Sequence, residues 1–174
     1  MPQSQCPSLQ IRPMRLEDVP RVVQIDQLSF SMPWPEKSYR FELTQNPGSR
    51  LWVAECSDPS RIVGMIVMWL IVDEAHIATI AVHPDFRLQG IAARLLTTAL
   101  FNAVQNQMIQ ATLEVRAGNQ AAQALYQNFG FTVVGVRPHY YRDNHEDAWI
   151  MTLSPLTLDV IQQMETSQAP NQPG

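Results

Sequence analysis

The sequence predicts an α/β (α+β) fold: a single mixed, mostly antiparallel central sheet flanked by about four helices. Three observations carry this expectation. First, Leu51 to Cys56, Arg61 to Val72 and Ala75 to Val82 are apolar runs parted by short polar connections at Ser57–Ser60 and Asp73–Glu74, the pattern of an antiparallel meander. Second, Ile80 to Leu96 passes from an apolar strand, through a turn holding Gly90, into a helix. Third, the longest fully apolar stretch, Met65 to Val72, is eight residues. That suits a buried strand and falls far short of the ~20 residues that span a bilayer.

The remaining elements follow in order. Residues 1–7 are polar and expected to be disordered. Leu9, Ile11 and Met14 begin a short strand. Val19, Val22, Val23, Ile25 and Leu28 recur at helical spacing within Leu16 to Ser29. Pro33-Trp34-Pro35 breaks the chain, and a second helix over about 35–45 stops before the Asn46-Pro47-Gly48 turn. Beyond the meander, Gly90 to Gln107 reads as a helix with Ile91, Leu95, Leu96, Ala99, Leu100, Ala103 and Val104 on its apolar side. Ala111 to Arg116 is a strand. Asn119 can cap a helix over Gln120 to Phe129, which Gly130 ends. Phe131 to Val136 and Ala148 to Leu153 are the last strands. The tail has one short amphipathic piece after Leu156, then a polar, Pro-rich stretch over 166–174, expected to be disordered.

Composition narrows the function classes. A chain of 174 residues, 45% of them hydrophobic, is long enough for one sizeable core. The net charge is −4, from 12 basic and 16 acidic residues, which speaks against nonspecific nucleic-acid binding and tilts toward a cationic partner. The first residues lack the basic and apolar regions of a secretory signal. Cys6 and Cys56 form no recognisable disulfide or metal framework, so free thiols in a cytoplasmic protein are expected, with no membrane association.

Six residues of the turn, Arg87-Leu88-Gln89-Gly90-Ile91-Ala92, fit the pattern [Q/R]-x-x-G-x-[G/A]. Small residues at Gly90 and Ala92 let a backbone approach something bulky. A helix N-terminus carries about half a positive charge and unsatisfied N–H donors, so the expected guest is a phosphate or pyrophosphate. A turn of this kind also serves plain packing. Neither the dinucleotide fingerprint nor the P-loop is present, and Lys37, the only lysine, lies far upstream.

The hexad resembles the acetyl-CoA motif of the GNAT acetyltransferases. Two further blocks strengthen the likeness. Leu113-Glu114-Val115-Arg116, with Asn119, Ala122, Leu125, Tyr126, Gly130 and Phe131, is similar to L-E-V-R-x-x-N-x-x-A-x-x-L-Y-x-x-x-G-F. Tyr140, Tyr141, Glu146, Asp147, Ala148 and Met151 resemble the Y-Y-x-x-x-x-E-D-A-x-x-M ending of RimI-type N-terminal acetyltransferases. The likeness implies one acetyltransferase domain over residues 8–155 with the GNAT fold. Its two middle strands, here those ending near Val82 and Arg116, would splay apart around acetyl-CoA. It implies that Ile80, Ala81 and Val82 pair with the pantetheine arm, that Arg87, Leu88, Gln89, Gly90, Ile91 and Ala92 wrap the pyrophosphate, and that Asn119 and Tyr126 also touch the cosubstrate. Ala93 stands where many relatives carry a basic residue, and Gly118 where relatives often have serine.

Acyl transfer to an amine needs a neutral amine, a polarised carbonyl and a proton for the leaving thiolate. An α-amine, with a pKa near 7.7–8.0, needs less help than a lysine near 10.4. Glu114, in a strand otherwise built for burial, is either a solvated strand residue, a partner of Arg116, or a base; the resemblance implies the base. Tyr126 reads as a core tyrosine with its hydroxyl at an edge, and the resemblance makes it the acid for the coenzyme A sulfur. Tyr140 and Tyr141 are either surface residues or, by resemblance, a loop that closes over a peptide, with Trp34 the opposite wall. Glu146 and Asp147 either bind an incoming amine or cap the last strand.

No metal is expected. His76 and His83, seven residues apart on a strand, point to opposite faces, and His139 and His145 lack supporting ligands. Cys56 has no motif that would make it a nucleophile, so direct transfer in a ternary complex is expected. The acceptor implied is a protein N-terminus, that of a ribosomal protein beginning with alanine. The rivals are a GNAT enzyme for a small amine or lysine side chain, and a non-catalytic acyl-CoA sensor.

Overall fold

The computed structural model describes residues 5–57 and 59–168. Residues 1–4 and 169–174 of the tails, and Asp58 of the first polar connection, lie outside them. The chain divides into two compact units, Met1–Ile71 with His76–Ala99, and Val72–Ala75 with Leu100–Gly174.

In the first unit, strands β1 (Leu9–Pro13), β2 (Ser49–Cys56), β3 (Arg61–Ile71) and β4 (Glu74–Val82, from His76 onward) are ordered β1-β2-β3-β4. β1 pairs antiparallel with β2 in the register Leu9↔Cys56 to Pro13↔Trp52, and β2 pairs antiparallel with β3. β3 is buried over seven consecutive residues from Ile62 to Met68, which is why it reads as an unbroken apolar run rather than an alternating one. Helices α1 (Val19–Ser29) and α2 (Glu36–Thr44) bury Val19, Val22, Ile25 and Tyr39 in a core with Met14, Leu51, Val53, Met65 and Val67.

Gly64 of β3 lets helix α3 (Ile91–Gln105) lie close: a Cβ there would stand 3.1 Å from the Ala81 carbonyl oxygen and 3.2 and 3.3 Å from Leu95 and Ile91 side-chain carbons. Short 3-10 turns, Leu16–Asp18 and Pro84–Phe86, precede α1 and α3.

The second unit orders its strands β5 (Gln110–Arg116), β7 (Ala148–Leu153) and β6 (Thr132–Arg137), all antiparallel. Helix α4 (Gln120–Asn128) follows β5, capped as expected by Asn119, whose Oδ1 accepts the Ala122 N–H at 3.2 Å. Gly130, with φ at +81°, ends it. β6 is largely exposed and is bulged between Val133 and Gly135, as befits an edge strand. Leu113, Phe129, Phe131 and Met151 are buried.

The fold is thus mixed and mostly antiparallel, as expected, with five α-helices among the described residues. The fifth, α5 (Leu158–Gln168), extends the anticipated amphipathic piece through residues 166–168, which the polar composition had marked for disorder.

The expectation of free thiols is corrected. Cys6 and Cys56 are disulfide-bonded, with Cα atoms 5.5 Å apart. The β1–β2 register puts Leu9 opposite Cys56, and Ser57 N–H donates to the Ser8 carbonyl, so the chain before β1 runs past the end of β2. That register, invisible in the spacing, brings the sulfurs together.

Candidate active site

The residues expected to hold the cosubstrate form the end of β4 and the start of α3. His83 N–H donates to the Val63 carbonyl at 2.8 Å, which pins the strand end to β3. Ala81 and Val82 are buried, and Ile80 is half-buried. The turn then opens outward. Leu88 (φ +61°) is 92% exposed, and Gly90 sits at φ +73° with nothing among the described residues within 4 Å of a Cβ. Gly90 is therefore required for its backbone conformation. α3 begins at Ile91, one residue beyond it.

Arg87 turns back: its Nε donates to the Val82 carbonyl at 3.0 Å and its Nη2 to Ser29 Oγ at 3.2 Å. Gln89 Oε1 accepts the Cys6 N–H at 3.4 Å. Arg94, beside the apolar Ala93, donates to the Leu9 carbonyl at 3.0 Å.

Trp34 is held through its backbone: its N–H donates to Asp26 Oδ2 at 2.6 Å. Asp26 is 1% exposed and faces the buried Tyr39 hydroxyl. Burial raises the Asp26 pKa against the opposing pull of the Trp34 N–H and the Tyr39 hydroxyl. The Trp34 ring stacks on Trp69 at 6.0 Å, Trp69 stacks on His76 at 5.6 Å, and Trp69 Nε1 donates to Glu42 at 3.0 Å. Sequence reasoning singled out Trp34 and missed Trp69 and Asp26. An acid inside an apolar helix face was the available signal.

In the second unit the proposed acid and base lie on α4 and β5. The Glu114 side chain is 18% exposed, and its Oε1 lies 3.6 Å from Arg137 Nε on β6. Arg116, two residues on in β5, reaches the β6–β7 loop: Nη2 is 2.9 Å from Asp143 and Nη1 is 3.2 Å from Glu146.

Tyr126 is 5% exposed, and its ring meets Phe131 at 5.8 Å. Burial first, then the nearby Tyr141 phenol, pushes its pKa well above the ordinary tyrosine range. Tyr141 is itself pushed up to about 12, chiefly by burial; Arg116 opposes this, while Tyr140, Glu114 and Glu146 add to it. Tyr141 is thus felt by Tyr126 and itself feels the Glu114 carboxylate. Tyr140 is 48% exposed and packs edge-on against Tyr141 at 5.2 Å. Glu146 and Asp147 both accept backbone N–H groups. Glu146 accepts the Gly118 N–H at 2.6 Å, and Asp147 accepts the His139 N–H at 2.8 Å.

The second unit thus supplies a phenol held protonated and a half-buried carboxylate; the first supplies an open turn at a helix start. An open cleft elsewhere in the first unit, lined by Arg12, Arg15, Asp18, Arg21, Glu55 and Arg61 among others, contains none of the expected site residues. Among the described residues no group of three His, Cys, Asp or Glu side chains could hold a metal ion, and no helix is long and apolar enough to cross a membrane.

Known proteins share the fold and much of the sequence. Residues 19–131 match the model of the acetyltransferase (GNAT) family. A putative [ribosomal protein bS18]-alanine N-acetyltransferase of Bacillus subtilis is 38% identical over 141 residues, covering 81% of this chain and 92% of its own. The crystal structure of the ribosomal-protein-S18-alanine N-acetyltransferase from Escherichia coli superposes with a TM-score of 0.77 at 30% identity, over 86% of this chain and 96% of that one. The NatC complex bound to Gag peptide and CoA gives 0.74 at 25% identity, over 86% and 99%. With a family match across most of the chain, and relatives this similar aligned over nearly their whole length, the chain belongs to the GNAT family and is an acetyl-CoA-dependent N-acetyltransferase.

Proposed function

We propose that this enzyme transfers acetyl from acetyl-CoA to the N-terminal α-amine of a protein, namely a ribosomal protein beginning with alanine, within a domain spanning residues 8–155. The observation that carries the acceptor is the 38% identity to a relative whose name specifies alanine of ribosomal protein bS18. A Tyr126 phenol that burial keeps protonated supports the chemistry. Ile80, Ala81 and Val82 would pair with the pantetheine arm, Arg87 to Ala92 would wrap the pyrophosphate, and Asn119 would contact the same molecule. Acetyl-CoA supplies the activated thioester.

Glu114, directly or through a water, removes a proton from the α-amine. The amine nitrogen bonds to the acetyl carbon as the carbon–sulfur bond breaks. Tyr126 passes its proton to the departing sulfur. Tyr140, Tyr141 and Trp34 hold the first residues of the acceptor. No metal, membrane or nucleic acid is given a part, and the enzyme acts in the cytoplasm.

The test is acetyl-CoA consumption with short peptides differing in their first residue, beside free lysine and polyamines. Turnover confined to alanine-led peptides and abolished by capping the α-amine is the expected result. Faster turnover of polyamines or of lysine side chains would overturn it in favour of a small-amine enzyme. Tight acetyl-CoA binding without turnover of any amine would make the chain a sensor.

A further inference from the structure

Arg116 is more heavily engaged than any residue of the sequence motif around it would suggest. Its guanidinium carbon lies 3.8 Å from the centre of the Tyr141 ring. Its nitrogens reach Asp143 at 2.9 Å, Asn144 Oδ1 at 3.1 Å and Glu146 at 3.2 Å. The side chains of the arginine and both carboxylates are 22–24% exposed. A planar cation with five fixed donors can serve a ring face and two carboxylates together, which a lysine cannot.

Glu146 extends the same grip to α4 by accepting the Gly118 N–H. A Cβ at position 118 would stand 2.7 Å from Glu146 Oε1, so the glycine leaves room for that bond. One end of the assembly is thus the end of β5, two residues after Glu114. Another is the turn that starts the helix bearing Tyr126. The third is the loop bearing Tyr140 and Tyr141, with Tyr141 N–H donating to the Glu146 carbonyl at 3.1 Å. His139 and His145, at φ +52° and +56°, bend that loop where L-residues rarely go, so the loop needs such an anchor.

We propose that Arg116 is a positioning residue: with Asp143 and Glu146 it latches the tyrosine loop to the strand and helix that carry the acid and base, and so sets acceptor affinity. The inference rests on the reading of that loop as the acceptor site.

Two readouts separate the latch from that reading. The first is chymotryptic cleavage after Tyr140 and Tyr141 in the folded enzyme, followed by mass spectrometry. The second is the KM for an alanine-led peptide, alongside kcat and the acetyl-CoA Kd. Arg116→Ala should raise cleavage and peptide KM by about tenfold each, the equivalent of about 1.4 kcal/mol, with the acetyl-CoA Kd within twofold of wild type. Arg116→Lys, which keeps the charge but not the fork or the flat face, should restore only part of each. Glu146→Gln, which keeps an acceptor for Gly118, should fall between, and it replaces the alanine variant if that one does not fold.

Unchanged cleavage overturns the latch. Raised cleavage with an unchanged peptide KM, or no peptide turnover even by wild type, overturns the acceptor role of the loop and the proposal with it. An acetyl-CoA Kd that rises in step with KM would mean a general structural role instead.

Discussion

Tyr126 shows how burial shapes chemistry at a single position. A phenol in an apolar helix face pays a penalty only when ionised, so burial and the neighbouring Tyr141 phenol hold its proton on. A raised pKa means the proton is kept as pH rises, so alkaline loss of activity cannot come from Tyr126 ionising. Replacing Tyr126 with Phe removes the hydroxyl and little volume. We expect kcat to fall by about 10²-fold, the usual span of a general acid, with melting temperature and acetyl-CoA affinity nearly unchanged. A kcat near wild type in single-turnover assays would remove Tyr126 from the chemistry. Glu114 and Tyr126 stood out in the sequence because a local motif carries both. The partners of Arg116 did not, because Asp143 and Glu146 lie 27 and 30 residues away and their approach depends on two left-handed residues that no pattern announces. Asp26 was passed over for a similar reason: its use, the Trp34 backbone N–H, is eight residues off, beyond a proline break.

At the scale of elements, the strands were legible because β2, β3 and β4 are long and rich in apolar residues, with turn residues between them. Register was not legible. It depends on how β1 and β2 slide past each other, and it decides that Cys6 meets Cys56. The extent of α5 was obscured because its last turns are polar while its first bury Ile161. Gly64 joins the sheet to the expected cosubstrate turn. A Cβ there meets the Ala81 carbonyl and the side chains of Leu95 and Ile91, the last being the first residue of α3. Gly64→Val should therefore push α3 off β3, destabilise the protein by about 1–3 kcal/mol in denaturant unfolding, and weaken acetyl-CoA binding by about tenfold in calorimetry. Stability lost with binding intact would show that the turn does not depend on this approach.

At the scale of the whole molecule, charge is the property that acts beyond contact distance. The chain carries a net −4 with a pI near 5.5, and both partners in the proposed reaction are charged. Acetyl-CoA is an anion, so the overall field opposes its approach and the local turn must supply the attraction. A basic acceptor N-terminus would be drawn in by the same field. These two effects respond oppositely to salt, because screening removes attraction and repulsion alike, with a Debye length of about 10 Å at 0.1 M and 3 Å at 1 M. For a basic alanine-led peptide, kcat/KM should fall by roughly tenfold as ionic strength rises from about 0.01 M to about 1 M, the lower end of the range for electrostatic steering. A neutral peptide with the same first residue should change little. If both peptides lose activity in parallel, the salt is acting on the cosubstrate or on the fold, and net charge has no part in choosing the acceptor. If only the basic peptide does, selection of the acceptor begins before its first residue reaches Tyr140 and Tyr141.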